Sequence, residues 1–176
     1  IAESGDYNLS GDRYIEAANF ANQKWPMVRL DEIFNEIKNG KNVVQFDEVG
    51  KYRVSRIQTI AFGVVDLNKT KYTNDEVQES DFLKEGDILF SHINSIDHLA
   101  KTAIFENTKE KVVHGSNLIR LRPDLSKIIP KYASYQLKHE AFIENARRFA
   151  QKAVNQASIT TTAIRSFQIP LPPLEI

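Results

Sequence analysis

Three prolines in four positions, Pro170, Pro172 and Pro173, dominate the end of the chain in the run Ile169-Pro170-Leu171-Pro172-Pro173-Leu174. Each removes a backbone donor and fixes φ near −65°, so the run cannot be a helix interior or a central strand. It predicts an extended strip held against the domain by Ile169, Leu171 and Leu174, with Pro173 placed to open a helix through Leu174, Glu175 and Ile176. Before it lie a polar, turn-prone stretch, Asn155-Gln156-Ala157-Ser158, and a mixed segment carrying Ile159, Ala163, Ile164 and Phe167.

Upstream, Ile1 to Gln23 is polar and poor in large apolar residues and reads as an arm or linker, so residues 1–24 are set apart from a folded domain over 25–176. Trp25 to Leu30 opens the domain. Leu30, Ile33, Phe34 and Ile37 recur at helical spacing, with Asp31 and Glu32 at the N-terminal end and Asn39-Gly40 as a stop, which predicts an amphipathic helix. Val43–Phe46 and Tyr52–Ile60 read as strands, followed by the apolar run to Val65 broken at Gly63. Lys69 to Glu79 reads as a polar connection and Ser80 to Lys84 as a helical turn. Leu83-Lys84-Glu85-Gly86-Asp87 reads as a turn before the buried strand Ile88–Phe90. After the polar loop Ser91 to His98 come strands at Leu99–Phe105, Val112-Val113 and Asn117–Leu121. From Pro130 the period becomes helical through Gln151. Strands first and helices later, without βαβ alternation, predict an α+β fold with a mixed, mainly antiparallel β-sheet and C-terminal helices.

The chain's 176 residues suffice for one core. It has no cysteine, which rules out disulfides and thiolate metal sites and fits a reducing cytoplasm. No apolar run approaches the ~20 residues that span a bilayer. Net charge is zero, against a strong free-standing nucleic-acid binder, but residues 101–176 hold 12 basic and 6 acidic side chains against 5 and 9 in residues 1–50. That asymmetry permits a phosphate-facing C-terminal part.

Enzymatic readings lack their motifs. There is no Gly-rich phosphate loop, no Gly-x-Ser-x-Gly elbow, and no nuclease Glu/Asp-x-Lys after Pro123-Asp124. The only Pro-Pro pair, Pro172-Pro173, lacks the Asn or Asp with which an adenine methyltransferase holds its base. His92, His98, His114 and His139 lack metal-ligand spacing.

Three groups of polar residues are candidates for contact with DNA. In the central loop they are Ser91, His92, Asn94, Ser95, His98 and Lys101; in the second predicted strand Lys51, Arg53, Arg56 and Gln58; after the helix Lys152, Asn155, Gln156 and Ser158. Asn and Gln pair bidentately with adenine, Arg and Lys with guanine, Ser with either. If Tyr52–Ile60 is a strand, Arg56 and Gln58 share one face and Arg53 takes the other. Arg147 and Arg148, on adjacent helical positions, are assigned to phosphate or partner contacts. The plainer reading of each loop is that it is polar because it is wet.

Four segments carry a family resemblance. The tail Ile169 to Glu175 resembles the "IPLPPLEEQ"-like strip that follows a Gln/Ser loop in the DNA specificity subunit of type I restriction–modification systems. Trp25 to Ile33 is similar to the "WxxxxLGEI" opening of that family's target-recognition domain, with Asp31 in place of Gly. Leu83 to Ser91 and Leu99 to Phe105 resemble its "GD-I-L" segment, with Ala100 where Gly is common. Tyr7 to Tyr14 looks like the end of the methyltransferase subunit of the same systems, which suggests a fused parent. The resemblance implies a target-recognition-domain-like fold and a non-catalytic domain that reads one half of a bipartite double-stranded DNA site. A second target-recognition domain or a homodimer partner would read the other half. It implies methyltransferase and endonuclease subunits as partners, with S-adenosylmethionine and ATP bound by those subunits and no cofactor by this domain. Two alternatives stay open: a protein-interaction module that assembles the complex without reading bases, and an enzyme fragment whose catalytic half lies elsewhere.

Overall fold

The computed structural model describes residues 24–106, 109–153 and 156–174, with Lys152 described by its backbone. The predicted arm therefore lies outside the described residues, as do Asn155, Glu175 and Ile176.

The proline strip folds back onto the start of the domain. β12 (Gln168–Pro170) pairs antiparallel with β1 (Met27–Arg29), Val28 standing opposite Ile169. Beyond the pair, the Leu171 amide donates to the Pro26 carbonyl at 2.9 Å, and the Tyr132 hydroxyl donates to the Pro170 carbonyl at 2.6 Å. Proline is tolerated because this two-stranded ribbon has free edges. Ile169 is buried and Leu171 half-buried as expected, but Leu174 is exposed, so the clamp ends before it.

The predicted helix over Leu30–Ile37 is a single turn, α1 (Leu30–Ile33), followed at once by β2 (Phe34–Asn39). A β-bulge between Phe34 and Glu36 explains the misleading spacing. The extra residue resets strand parity, so Phe34 and Ile37, three apart, both face the core.

β2 is one edge of the central antiparallel sheet, ordered β2-β9-β5-β7 with β5 at Ile88–Phe90, β7 at Thr102–Ile104 and β9 at Ile119–Pro123. Both faces of β5 are buried. Ile88 and Phe90 join the larger core with α2 (Pro130–Lys138), α3 (Glu140–Arg148) and α4 (Thr161–Ser166), while Leu89 joins a second core with Ile60, Val65, Ala103, Phe105 and Leu118. Burial on both sides accounts for the uninterrupted Ile-Leu-Phe run. The turn before it forms as predicted, with Gly86 at φ +86° and its amide donating to the Phe105 carbonyl.

A second sheet, ordered β4-β3-β8, holds β3 (Tyr52–Val54), β4 (Lys71–Thr73) and β8 (Val112–Val113), with β3 and β8 parallel. β4 arises inside the predicted polar connection, and the predicted strand Val43–Phe46 contributes only a bridge at Phe46 to Tyr72. The strand predicted to reach Ile60 stops at Val54 and gives way to a 3-10 turn over Ile57–Ile60. Thr59 turns it: its hydroxyl donates to the Arg56 carbonyl at 2.6 Å, a local bond that competes with strand pairing. The single predicted C-terminal helix is broken at His139, whose extended backbone ends α2 and whose Nδ1 accepts the Ala141 amide to begin α3. Gln151 belongs to a strand. The α+β, mainly antiparallel architecture with helices toward the C-terminus stands.

Candidate nucleic-acid interface

β6 (Ile93–Asn94) leaves the end of β5 and enters a separate three-stranded ribbon, β10-β11-β6, with β10 at Gln151–Ala153 and β11 at Gln156–Ser158. Two of the polar stretches singled out separately are thus hydrogen-bonded neighbours. Ala157 stands opposite Asn94, and Ser158 opposite Ile93. Alternation along β11 decides what is presented: Ala157 and Ile159 are buried in the main core, while Gln156 and Ser158 take the other face. The Ile159 amide donates to the His92 carbonyl at 2.8 Å and fastens the ribbon to the central sheet.

Beside this ribbon lies an open depression of about 330 Å³ lined by Ile57, Ile93, Asn94, Ser95, Asn117 and Gln156. It draws on all three predicted stretches, because Ile57 sits between Arg56 and Gln58. The Arg56 Nε donates to Gln58 Oε1 at 2.6 Å, so the two act as one guanidinium–amide unit on a turn, not as residues along a strand. Asn94 Oδ1 accepts the Ser95 amide at 2.8 Å, and its Nδ2 lies 3.4 Å from Ser91 Oγ, leaving the amide half-exposed with a defined orientation.

Other candidates take supporting positions. Ser91 and His92 are buried. Burial pushes the His92 imidazole below its usual pKa, and its buried Nδ1 has no hydrogen-bond partner among the described residues. Arg53 is occupied inside the second sheet: it pairs with Glu110, donates to the Leu67 carbonyl and Thr70 hydroxyl at 3.2 and 3.1 Å, and stacks over Tyr72. Lys51 lies over the neighbouring Tyr52 ring. His98 and Lys101 are joined at the surface, Nζ to Nδ1 at 2.7 Å, on the connection between β6 and β7. Lys152 pairs through its backbone with Ala157, and Ser158 with Gln151. Arg147, assigned above to phosphate or partner contacts, instead donates to the carbonyls of Asp97 and Leu99 at 2.7 and 3.3 Å.

The depression also includes Asn117, Ile57 and Ile93, which sequence reasoning missed. Asn117 ends the polar run His114-Gly115-Ser116-Asn117 between apolar strands, the pattern that marked the central loop. Among the described residues no cluster of three His, Asp or Glu is placed to hold a metal, and no helix is long and apolar enough to cross a membrane.

A family model described as the type I restriction modification DNA specificity domain matches residues 22–176. The chain is 40% identical over 157 residues to the putative type I restriction enzyme MjaX specificity subunit of Methanocaldococcus jannaschii, covering 87% of this chain and 37% of that protein. The chain therefore spans little more than a third of the curated relative's length. Among solved structures it resembles one bearing on complex assembly and conformational transition of the type I R-M system, with a TM-score of 0.63 and 19% identity over 93% of this chain and 39% of that one. It also resembles the HsdS subunit from Thermoanaerobacter tengcongensis, with a TM-score of 0.60 and 13% identity over 88% of this chain and 39% of that one. Those two likenesses speak for the fold, and the family match for descent. The chain belongs to the family of type I restriction modification DNA specificity domains.

Proposed function

We propose that this domain reads one half of a bipartite double-stranded DNA site for a type I restriction–modification complex, and that the ribbon β10-β11-β6 with the adjoining turn at Arg56 is its reading surface. The observation that carries this is the meeting of Asn94 and Gln156 in one open depression. Two amide side chains on a paired ribbon match the bidentate donor–acceptor edge of adenine, and Ile57 and Ile93 offer apolar contact to a thymine methyl. The Arg56–Gln58 unit presents the groups suited to guanine and adenine edges. Lys152 lies in β10 of the same ribbon, and Asn155, outside the described residues, stays a candidate from the sequence alone. Ser91 and His92 support it from beneath, and Arg53 steadies the neighbouring sheet.

The domain itself is non-catalytic in this reading. Methyl transfer and cleavage belong to methyltransferase and endonuclease subunits that bind S-adenosylmethionine and ATP, in the cytoplasm. A second target-recognition domain, in the same polypeptide or a homodimer partner, reads the other half-site. The zero net charge of the chain suits this division, since the partners supply much of the phosphate grip.

The test is half-site preference in the assembled methyltransferase. Asn94→Ala and Gln156→Ala should each lose about 1–3 kcal/mol of discrimination at one base pair while the complex still forms. Unchanged preference together with broken assembly would instead make the ribbon a protein-docking surface.

A further inference from the structure

The connection from β6 to β7 is held far more tightly than an exposed loop of its size requires. It begins with a 3-10 turn, Ile96–His98, in which the Ser95 carbonyl accepts the amides of both His98 and Leu99 at 3.0 Å. Leu99 is fully buried. Ala100 follows at φ +62°, left-handed backbone that costs an alanine about 1–2 kcal/mol. From behind, Arg147 reaches across from the last turn of α3 and donates to the carbonyls of Asp97 and Leu99. The turn exposes Ser95 to His98, and on its far side the half-exposed Lys101 donates its ammonium to His98 Nδ1 at 2.7 Å. With Nδ1 accepting, the neutral ring carries its proton on Nε2 and donates outward.

We propose that His98 and Lys101 form a clamp for a single DNA backbone phosphate, and that Arg147 is its positioning residue. The inference rests on the DNA-reading proposal above and separates two jobs within it. The ribbon residues Asn94 and Gln156 touch base edges, while the clamp fixes how the duplex lies over them without sensing sequence. A Lys–His pair offers one full charge and one neutral N–H donor at a fixed separation, which suits one phosphate. Asp97, adjacent on the same turn and one third of a 3-10 revolution from His98, prevents the loop from forming a continuous cationic stripe. Strained backbone over-determined by its surroundings recurs at ligand clamps, and the left-handed Ala100 fits that pattern.

The experiment measures duplex binding by the assembled complex as a function of salt, for a cognate and a scrambled site. One phosphate contact contributes about 0.9 to the slope of log K against log salt. Lys101→Gln should lower the magnitude of the slope by about that amount and leave the cognate-to-scrambled ratio unchanged. Lys101→Arg should restore the slope. Arg147→Gln should lower it likewise in a complex that is still folded at the assay temperature, whereas Gln156→Ala should reduce the ratio and spare the slope. An unchanged slope in Lys101→Gln overturns the clamp even if sequence preference persists, and Arg147→Gln that weakens binding at constant slope overturns the positioning role. A wild-type complex that shows no preference for the cognate site removes the reading on which both rest.

Discussion

Asp87 grips Arg122 with both carboxylate oxygens, accepting from Nε at 2.8 Å and from the terminal guanidinium nitrogen at 2.7 Å. The carboxylate is almost fully buried and also accepts the Lys84 amide at 2.8 Å, closing the turn that launches β5. Next to it Arg120, wholly buried, pairs with Glu36 and donates to the Phe82 and Ser80 carbonyls at 3.0 and 3.1 Å. The Gly-Asp of the "GD-I-L" motif therefore serves architecture: the glycine permits the turn and the aspartate ties it to β9. Asp87→Ala leaves the partly buried Arg122 guanidinium without its carboxylate and the Lys84 amide without its acceptor, and should cost about 3–5 kcal/mol. Urea unfolding of the variant checks the figure, and surviving folded protein should keep its half-site preference.

Ala100 occupies left-handed backbone at a position where the family commonly has glycine. Ala100→Gly relieves about 1–2 kcal/mol of backbone strain. It also frees the unfolded chain and removes a buried methyl, worth together about as much. The variant should therefore unfold within about 0.5 kcal/mol of the parent, where an ordinary buried Ala→Gly change would be clearly destabilising. Ala100→Val adds β-branching at positive φ in a fully buried position and should lose at least about 2 kcal/mol. Paired denaturation curves of the two variants provide the measurement.

Much of the architecture was legible because it is local. Leu83 to Phe90 declared a turn and a buried strand, and the proline strip declared an edge. The errors have two causes: strand pairing altered one periodicity, and a local side-chain bond cut another short. The bulge in β2 gave Phe34 and Ile37 a helical spacing inside a strand, and Thr59 bent the chain where Arg56, Ile57 and Gln58 looked like a strand. The site was legible in its parts. Asn94 and Gln156 stood out as side chains suited to adenine, but their meeting depends on β6 pairing with β11, a contact between distant stretches. Arg147 misled because a guanidinium near a helix end looks the same whether it faces a phosphate or, as here, two carbonyls of its own fold.

Two glycines mark a close crossing of three segments. A Cβ on Gly115 would lie 2.2 Å from the Ser55 carbonyl oxygen, and one on Gly40 would lie 2.2 Å from the carbonyl oxygen of Gly115. The obstacles are backbone, held by Lys41 donating to the His114 carbonyl and Ser55 donating to the Val113 carbonyl. Gly115→Ala should therefore cost about 3 kcal/mol or more. Gly86→Ala is the comparison: it meets only Pro130 side-chain atoms at 3.0 and 3.2 Å and carries the left-handed backbone cost of about 1–2 kcal/mol. Thermal melts should rank Gly115→Ala below Gly86→Ala.

His114 gives the fold an acid sensitivity that begins above the carboxylate range. Burial, then the charge of Arg120, lower its pKa to about 3 from an ordinary 6.5, with Lys38 acting the same way and Glu36 and the Leu118 carbonyl opposing. Its Nε2 lies 2.9 Å from the Leu118 carbonyl oxygen, which fixes the neutral tautomer with the proton on that nitrogen. The unfolded chain binds a proton near pH 6.5 and the folded chain does not until about pH 3. Stability from this group is therefore complete above pH 6.5 and is lost progressively as pH falls toward 3, at up to about 1.4 kcal/mol per pH unit. His92, depressed by burial, adds a loss of the same sign. The Glu36 carboxyl titrates lower than the onset of this loss: burial alone would raise it, but the Arg120 hydrogen bond and charge hold it below its usual 4.5. Between pH 6.5 and 5 the slope should then come from the two histidines. His114→Gln keeps a side-chain donor for the Leu118 carbonyl and removes the titration, so its stability should decline less over that window than the parent's. Urea midpoints taken at half-unit steps of pH test it, and a variant with the parent's full slope would show that His114 does not carry the effect.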